Sequence, residues 1–213
     1  MIKSIQVKGI DECRDIADED HPYNALVSVY DEDYLSEVYD IHRKMSAQRS
    51  CRHFVHAMKD TWEQEFNEGM VVCDETFQKI LNGEINDVTP SLKKVKPLIE
   101  TCRYLATSKD EFDVLVHCHG GISRSTAACI LIHYFMGMTE WEAIDAVYDL
   151  RACMWPSQLI LRIADHVLGT RFHPFIVAWK EKEEKDPFGS FTERFNRVER
   201  RSKTKINIKK TTT

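Results

Sequence analysis

The sequence predicts an α/β fold in which a mainly parallel central sheet is flanked by helices. Strand patterns and helix patterns alternate along most of the chain, with a period of two in the strands and helical spacing between them. Such alternation is typical of parallel sheets, because a helix has to cross the sheet before the next parallel strand begins. In addition, a short buried strand at 114–117 runs through a glycine-bearing loop into a strongly apolar helix at 125–136.

The strands are predicted from β-rich or alternating segments. Residues 2–7 alternate apolar and polar side chains, which indicates an edge strand, whereas residues 25–30 are β-rich and end at an acidic turn, Asp31-Glu32-Asp33. Residues 51–60 place Phe54, His56 and Met58 on one face of a strand. The predicted strands cover residues 2–7, 25–30, 51–60 and 114–117.

The helices are predicted from apolar spacing and from start and stop signals. Thr89-Pro90 is typical of a helix start, and Thr139-x-x-Glu142 is a capping box. Ser157 is predicted to cap the last helix and Gly169 to end it. The predicted helices cover residues 10–17, 34–45, 89–105, 125–136, 139–150 and 157–169.

The domain organisation follows from shifts in composition. We predict a domain over residues 1–170 with an inserted segment at about 61–86. The apolar residues of this segment have helical spacing, except that Val71-Val72 is also compatible with a strand. Residues 171–213 form a predicted charged, basic C-terminal extension that is solvated and partly disordered. The extension contains 12 Lys and Arg against 6 Asp and Glu; since the whole chain carries −5, the first 170 residues carry −11. A body this acidic is not expected to bind nucleic acid generally, although the basic extension leaves that partner open.

Composition excludes several classes of protein. Hydrophobic residues make up 43% of the chain, enough for a packed core, and His133 interrupts the longest apolar run, 127–136, so no membrane span is expected. The seven cysteines are scattered and form no C-x-x-C pair, which predicts a reducing cytoplasm and neither a disulfide framework nor zinc. Cys51, His53 and His56 resemble a metal-ligand cluster, but His53 and His56 are predicted on opposite faces of a strand. We therefore expect no metal and no cofactor.

The chemistry is concentrated in the segment from Val114 to Thr126. A loop between a buried strand and a helix N-terminus directs backbone N–H groups at one point, where the helix dipole also favours an anion. The planar fork of Arg124 can hold two oxygens of a phosphate. We therefore predict a Cys-x5-Arg phosphate-binding loop. Its predicted substrate-binding residues are His119, Gly120, Gly121, Ile122 and Ser123.

Cys118 lies at the base of this predicted loop. A thiol surrounded by inward N–H groups, a helix N-terminus and Arg124 is expected to be a thiolate at neutral pH. Such a thiolate beneath a bound phosphoryl group is positioned for in-line attack, and Ser125 can donate its hydroxyl to the sulfur. Cys118, Arg124 and Ser125 are therefore predicted catalytic residues.

The arrangement of His117, Cys118, Arg124 and Ser125 resembles the signature of cysteine-dependent protein tyrosine and dual-specificity phosphatases. The string Val-His-Cys-His-Gly-Gly-Ile-Ser-Arg-Ser-Thr-Ala-Ala is most similar to small bacterial and phage proteins of the tyrosine-phosphatase type, and the resemblance covers about residues 24–170. It implies hydrolysis of a phosphorylated protein, with phosphotyrosine as substrate, through a phosphocysteine intermediate.

The resemblance also implies an aspartic acid that protonates the leaving oxygen and later activates water. Asp60 is the favoured residue because it ends the strand at 51–60, and an insertion after it explains its distance in sequence from Cys118. Asp87, which has the spacing usual in related enzymes, and Asp74, which follows Val71-Val72, stay open as alternatives.

Two further interpretations stay open. In the first, the same chemistry acts on RNA 5′-phosphates or phosphoinositides; the absence of lysine between Cys118 and Arg124 disfavours phosphoinositides, whereas the basic extension is compatible with RNA. In the second, the chain is a weakly active module that binds phosphorylated partners, which would follow if no aspartic acid reached the loop.

Overall fold

A four-stranded parallel sheet forms the centre of the molecule in the computed structural model, which describes residues 1–59, 74–84 and 90–184. The strand order is β1-β4-β2-β3, and each neighbouring pair is parallel. The predicted α/β class with its parallel sheet is therefore confirmed. The strands are β1 (Ile2–Lys8), β2 (Ala25–Tyr30), β3 (Arg52–Ala57) and β4 (Phe112–His117).

Helices cover both faces of this sheet. Every residue of β2 is buried, as expected for a central strand with helices on both sides. The helices are α1 (Ile10–Asp18), α2 (Leu35–Gln48), α3 (Asp74–Leu81), α4 (Leu92–Thr107), α5 (Arg124–Phe135), α6 (Glu140–Leu150), α7 (Gln158–Leu168) and α8 (Phe172–Glu184), with a one-turn 3-10 helix at Glu32–Tyr34 before α2. None of the described helices is long and apolar enough to cross a bilayer.

Two hydrophobic clusters divide the core between the faces of the sheet. On one face, Leu26 and Leu115 pack with side chains of α1 and α2, such as Cys13 and Ile41. On the other face, a larger cluster joins the sheet to α3–α8. Because strand side chains alternate between faces, this division also separates His53 from His56, as the strand pattern predicts.

The helix signals in the sequence are mostly confirmed. Thr139 and Glu142 form a capping box at the start of α6, and the Ser157 hydroxyl accepts from the Ile160 amide at the start of α7. Gly169 ends α7 in the left-handed conformation, with φ of 70°. The predicted start of α4 is wrong: the N-cap is Ser91, whose backbone is extended, and Thr89 lies outside the described residues.

Helix α8 occupies the beginning of the segment predicted as a solvated extension. Phe172, Ile176 and Trp179 are buried in the larger cluster, since they recur at helical spacing. The Asp165 carboxylate of α7 accepts from the amides of Phe172 and His173, at 2.7 and 2.8 Å, and so caps α8. Residues up to 180 are thus packed against the domain, and 185–213 lie outside the described residues.

Candidate active site

The loop between β4 and α5 lies at the carboxyl edge of the sheet, beside the ends of β1 and β2. Cys118 follows β4 directly, and Arg124 is the first residue of α5. In parallel sheets this edge is where ligands usually bind. The predicted loop therefore occupies a position suited to a binding site.

The carbonyl groups of the loop are bound on its outer side. Each carbonyl from His119 to Ser123 accepts a hydrogen bond from a group outside this stretch. The His119 carbonyl accepts from the Ile10 amide at 2.9 Å, and the carbonyls of Gly120 and Gly121 accept from the Arg151 guanidinium at 3.4 and 3.2 Å. The carbonyls of Ile122 and Ser123 accept from the amides of Trp155 and Ser157 at 2.8 and 3.3 Å.

This outward anchoring determines where the amides point. In a trans peptide the N–H group points opposite to the preceding carbonyl. With the carbonyls of residues 119–123 directed outward, the N–H groups of residues 120–124 are directed into the space that the loop encloses. Convergent N–H groups at a helix N-terminus form an anion site.

Two glycines allow the loop to approach β1 closely. Gly121 has φ of 66°, and a Cβ there would lie 2.4 Å from both the Gly9 nitrogen and the Lys8 carbonyl carbon. At Gly9, a Cβ would lie 3.2 Å from the carbonyl oxygens of His119 and Gly120. The loop and the end of β1 therefore touch backbone to backbone, which requires glycine at 121.

Arg151 and Glu12 hold the outer side of the same loop. The Arg151 guanidinium binds Glu12 through two contacts of 2.8 and 2.7 Å while it donates to the Gly120 and Gly121 carbonyls. Burial alone would raise the pKa of the Glu12 carboxyl, but hydrogen bonds from Arg151 and the Gly9 amide outweigh burial and lower it. The carboxylate thus keeps its charge and fixes the arginine against the loop.

Cys118 is buried at the base of the loop, with 1% of its surface exposed. Its Sγ lies 3.1 Å from the Ser125 Oγ. A hydroxyl at this distance can donate to a thiolate and stabilise its charge. The structure therefore brings together the two residues that the sequence predicts as nucleophile and hydroxyl donor.

Arg124 is also buried, at 2% exposure, and is held by the segments that follow β2 and β3. Its Nη1 donates to the Met58 carbonyl at 2.8 Å and lies 3.1 Å from the Asp31 carboxylate. These contacts place the end of β3 and the turn after β2 beside the arginine. The sequence indicates only a turn at Asp31; its position directly after a buried strand was the available signal for a role at this edge.

The remaining predicted substrate-binding residues differ in their exposure. His119 and Gly120 are exposed, whereas Ile122 and Ser123 are half-buried. The His119 ring lies 4.6 Å from the ring of Tyr34, centroid to centroid. The residue after Cys118 thus belongs to an aromatic pair, and no sequence pattern points to Tyr34, because it lies at the end of a 3-10 turn far away in the chain.

The three acid candidates differ in what the structure says of them. Asp60 and Asp87 lie outside the described residues, so their role stays a prediction. Asp74 begins α3, and its carboxylate lies 2.5 Å from Arg162 of α7 with 96% of the side chain exposed. Asp74 therefore serves as a surface ion-pair partner.

No protein-family model matches the chain, and the comparison with curated proteins gives no match. The comparison with solved structures gives phosphatases of the tyrosine and dual-specificity type. The Cydia pomonella PTP-2 phosphatase is 18% identical, with 76% of this chain and 83% of that chain covered and a TM-score of 0.47. A variant of human DUSP28 is 12% identical, with 81% and 87% covered and a TM-score of 0.41. PTPMT1 in complex with PI(5)P is 12% identical, with 83% and 94% covered and a TM-score of 0.46. At these values the similarity is distant.

Proposed function

We propose that this chain is a cysteine-dependent phosphomonoester hydrolase that removes phosphate from phosphotyrosine in proteins. The observation that carries the proposal is the loop of residues 118–124, in which the carbonyls of residues 119–123 are anchored outward and the cysteine is buried. Inward N–H groups and Arg124 supply the positive field that a phosphoryl dianion needs. A nucleophile lies at the centre of that field.

The reaction proceeds in two displacements. The Cys118 thiolate attacks phosphorus, so that a sulfur–phosphorus bond forms as the ester oxygen–phosphorus bond breaks, and the leaving phenol oxygen takes a proton from an aspartic acid. Water then attacks the phosphocysteine and gives its proton to the same aspartate, while the electron pair of the sulfur–phosphorus bond returns to Cys118. Ser125, 3.1 Å from the sulfur, stabilises the thiolate as it leaves.

Asp60 remains the favoured proton donor within this proposal, with Asp87 and Asp74 as the alternatives. The support for Asp60 is that Met58, two residues earlier in sequence, binds Arg124 through its carbonyl. The end of β3 is therefore already fixed at the site.

The preference for a phosphotyrosine substrate is supported by the pair of Tyr34 and His119. Their rings lie 4.6 Å apart, and His119, which directly follows the nucleophile in sequence, is exposed while Tyr34 is half-buried. Aromatic rings favour aromatic neighbours in offset or edge-to-face contact. We therefore expect an aryl phosphate to be a better substrate than an alkyl phosphate.

The test is hydrolysis of a chromogenic aryl phosphate by wild type, Cys118→Ser, Asp60→Asn and Asp87→Asn from about pH 4.5 to about pH 8. We expect Cys118→Ser to be inactive and one Asp variant to lose the basic limb of the pH profile. An inactive wild type that still binds a phosphotyrosine peptide tightly would refute the enzyme in favour of a binding module. Stronger competition by 5′-phosphorylated RNA than by the peptide would refute the protein substrate.

A further inference from the structure

A buried polar chain connects the residue before the nucleophile to β3. The Nε2 atom of His117 lies 2.7 Å from the Ser28 Oγ, and the same hydroxyl lies 2.8 Å from the Nε2 atom of His53. His117 and Ser28 are fully buried, and they are direct partners in the parallel ladder of β4 and β2. The sheet register therefore sets the distance between them.

The serine hydroxyl couples the two rings chemically. A hydroxyl has one proton, so Ser28 donates to one ring nitrogen and accepts from the other. Burial lowers the pKa of His117 to about 4, and burial with smaller effects of neighbouring histidines lowers the pKa of His53 to about 3. Both rings are thus neutral near pH 7, and each has one N–H. It follows that one ring carries its proton on Nε2 and the other on Nδ1.

The surroundings of His117 favour one of these two assignments of the ring protons. Among the described residues, no hydrogen bond of normal geometry reaches the Nδ1 atom of His117. The backbone of Cys118 nevertheless acts to raise the pKa of this ring. A backbone group has this effect when it accepts from a ring N–H. A proton on Nδ1 of His117 leaves its Nε2 to accept from Ser28. Ser28 then accepts from a proton on Nε2 of His53.

This direction completes the pattern of the loop. The carbonyls of residues 119–123 are bound by donors outside the loop, and the Cys118 carbonyl is the one before them. A ring N–H directed at the Cys118 carbonyl would turn that peptide in the same sense. The N–H group of His119 would then point into the enclosed space with the others.

We propose that Ser28 and His53 are positioning residues, which fix the Nδ1–H tautomer of His117 and through it the orientation of the peptide between Cys118 and His119. The inference rests on the proposed function and extends it to two residues that do not touch the substrate. His42 holds the His53 end of this series of hydrogen bonds. Its ring stacks on that of His53 at 4.4 Å, and its Nε2 lies 3.0 Å from the Cys51 carbonyl.

The first measurement is the tautomeric state of the histidines in the wild type by nitrogen-15 NMR at neutral pH. We expect His117 as the Nδ1–H form and His53 as the Nε2–H form. The reverse assignment, or a mixture at His117, would overturn the inference. This measurement needs neither activity nor a substitution, so it tests the tautomers of His117 and His53 even if a variant fails to fold.

The second measurement compares Ser28→Ala with Thr101→Ala. Thr101 on α4 binds the buried ring of His56 at 3.1 Å on the opposite face of the sheet, so its removal costs a similar hydrogen bond away from the loop. A hydrogen bond contributes about 0.5–1.5 kcal/mol, so we expect kcat for an aryl phosphate to fall about twofold to twelvefold in Ser28→Ala with KM little changed. Thr101→Ala should keep the wild-type kcat, and Ser28→Thr should restore it.

The outcomes separate this inference from the proposed function. An active wild type in which Ser28→Ala and Thr101→Ala have equal kcat would refute the role of Ser28 alone. An inactive wild type would refute the proposed function and with it the effect of Ser28 and His53 on kcat.

Discussion

Replacing Gly121 by alanine tests whether close backbone contact with β1 shapes the loop. Gly121 has φ of 66°, and a Cβ at this position would lie 2.4 Å from the Gly9 nitrogen and 2.6 Å from the Lys8 carbonyl oxygen. Gly169 has nearly the same conformation, with φ of 70°, but a Cβ there would meet nothing within 4 Å among the described residues. The pair of substitutions therefore separates the cost of the conformation from the cost of the contact.

The expected magnitude follows from these distances. An alanine in the left-handed region costs about 1–2 kcal/mol, and both variants share that cost. Ordinary carbon contacts begin near about 3.5 Å, so the loop in Gly121→Ala has to move by about 1 Å away from β1. A displacement of about 1 Å in a positioned group can lower a rate roughly a hundredfold. We expect that loss in kcat/KM for Gly121→Ala and little change for Gly169→Ala.

The assay combines hydrolysis of an aryl phosphate, inhibition by inorganic phosphate and thermal unfolding. Gly121→Ala should lose activity and phosphate inhibition together, because the same N–H groups bind both. Gly169→Ala should lose stability alone. The reasoning would be refuted by a folded Gly121→Ala whose kcat/KM stays within about threefold of that of Gly169→Ala, a difference below about 1 kcal/mol.

Three further substitutions have defined outcomes. Ser125→Ala removes the hydroxyl 3.1 Å from the Cys118 sulfur, so rapid mixing should show a burst of phenol followed by dephosphorylation slowed roughly tenfold; equal rates of both steps would contradict this. The lowered pKa of Glu12 means that its pairing with Arg151 stabilises the fold above the unfolded-state pKa and is lost as pH falls through the folded-state pKa. The melting temperature of wild type should therefore exceed that of Glu12→Gln at about pH 7, and the difference should shrink below about pH 4, whereas a constant difference would contradict the ion pair. Asp165→Ala removes the cap of α8 and should lower the free energy of unfolding by about 1–2 kcal/mol in a urea titration; an unchanged value would show that the cap is dispensable.

Local patterns explain what the sequence could predict. The four strands, the capping box at Thr139 and the stop at Gly169 depend on neighbours within a few residues, and the structure has all of them. The loop from Cys118 to Arg124 is also contiguous, so its position between a strand and a helix was readable from the chain. The start of α4 was misplaced because Pro90 suggested a cap one residue before it, whereas the extended residue is Ser91.

Contacts between distant segments explain what was missed. Glu12 and Arg151 are 139 positions apart, and only the fold shows that they share one side of the loop. Asp31 lies in an acidic segment typical of a turn. Its contact with Arg124 follows from the adjacency of β2 and β4, which the order of the strands along the chain does not reveal. In α8, the charged residues obscured the helical spacing of Phe172, Ile176 and Trp179.

The outward anchoring of the loop carbonyls has a consequence for how this site can change. In the proposed function an anion is held by main-chain N–H groups and Arg124, whereas the side chains of His119, Ile122 and Ser123 are exposed or half-buried. If the proposed function holds, substitutions at these three positions should change which ester is accepted and leave the N–H groups and Arg124 in place. Selectivity and anion binding would then be separable properties of one short segment, and libraries restricted to positions 119, 122 and 123 would redirect the protein toward other phosphate esters.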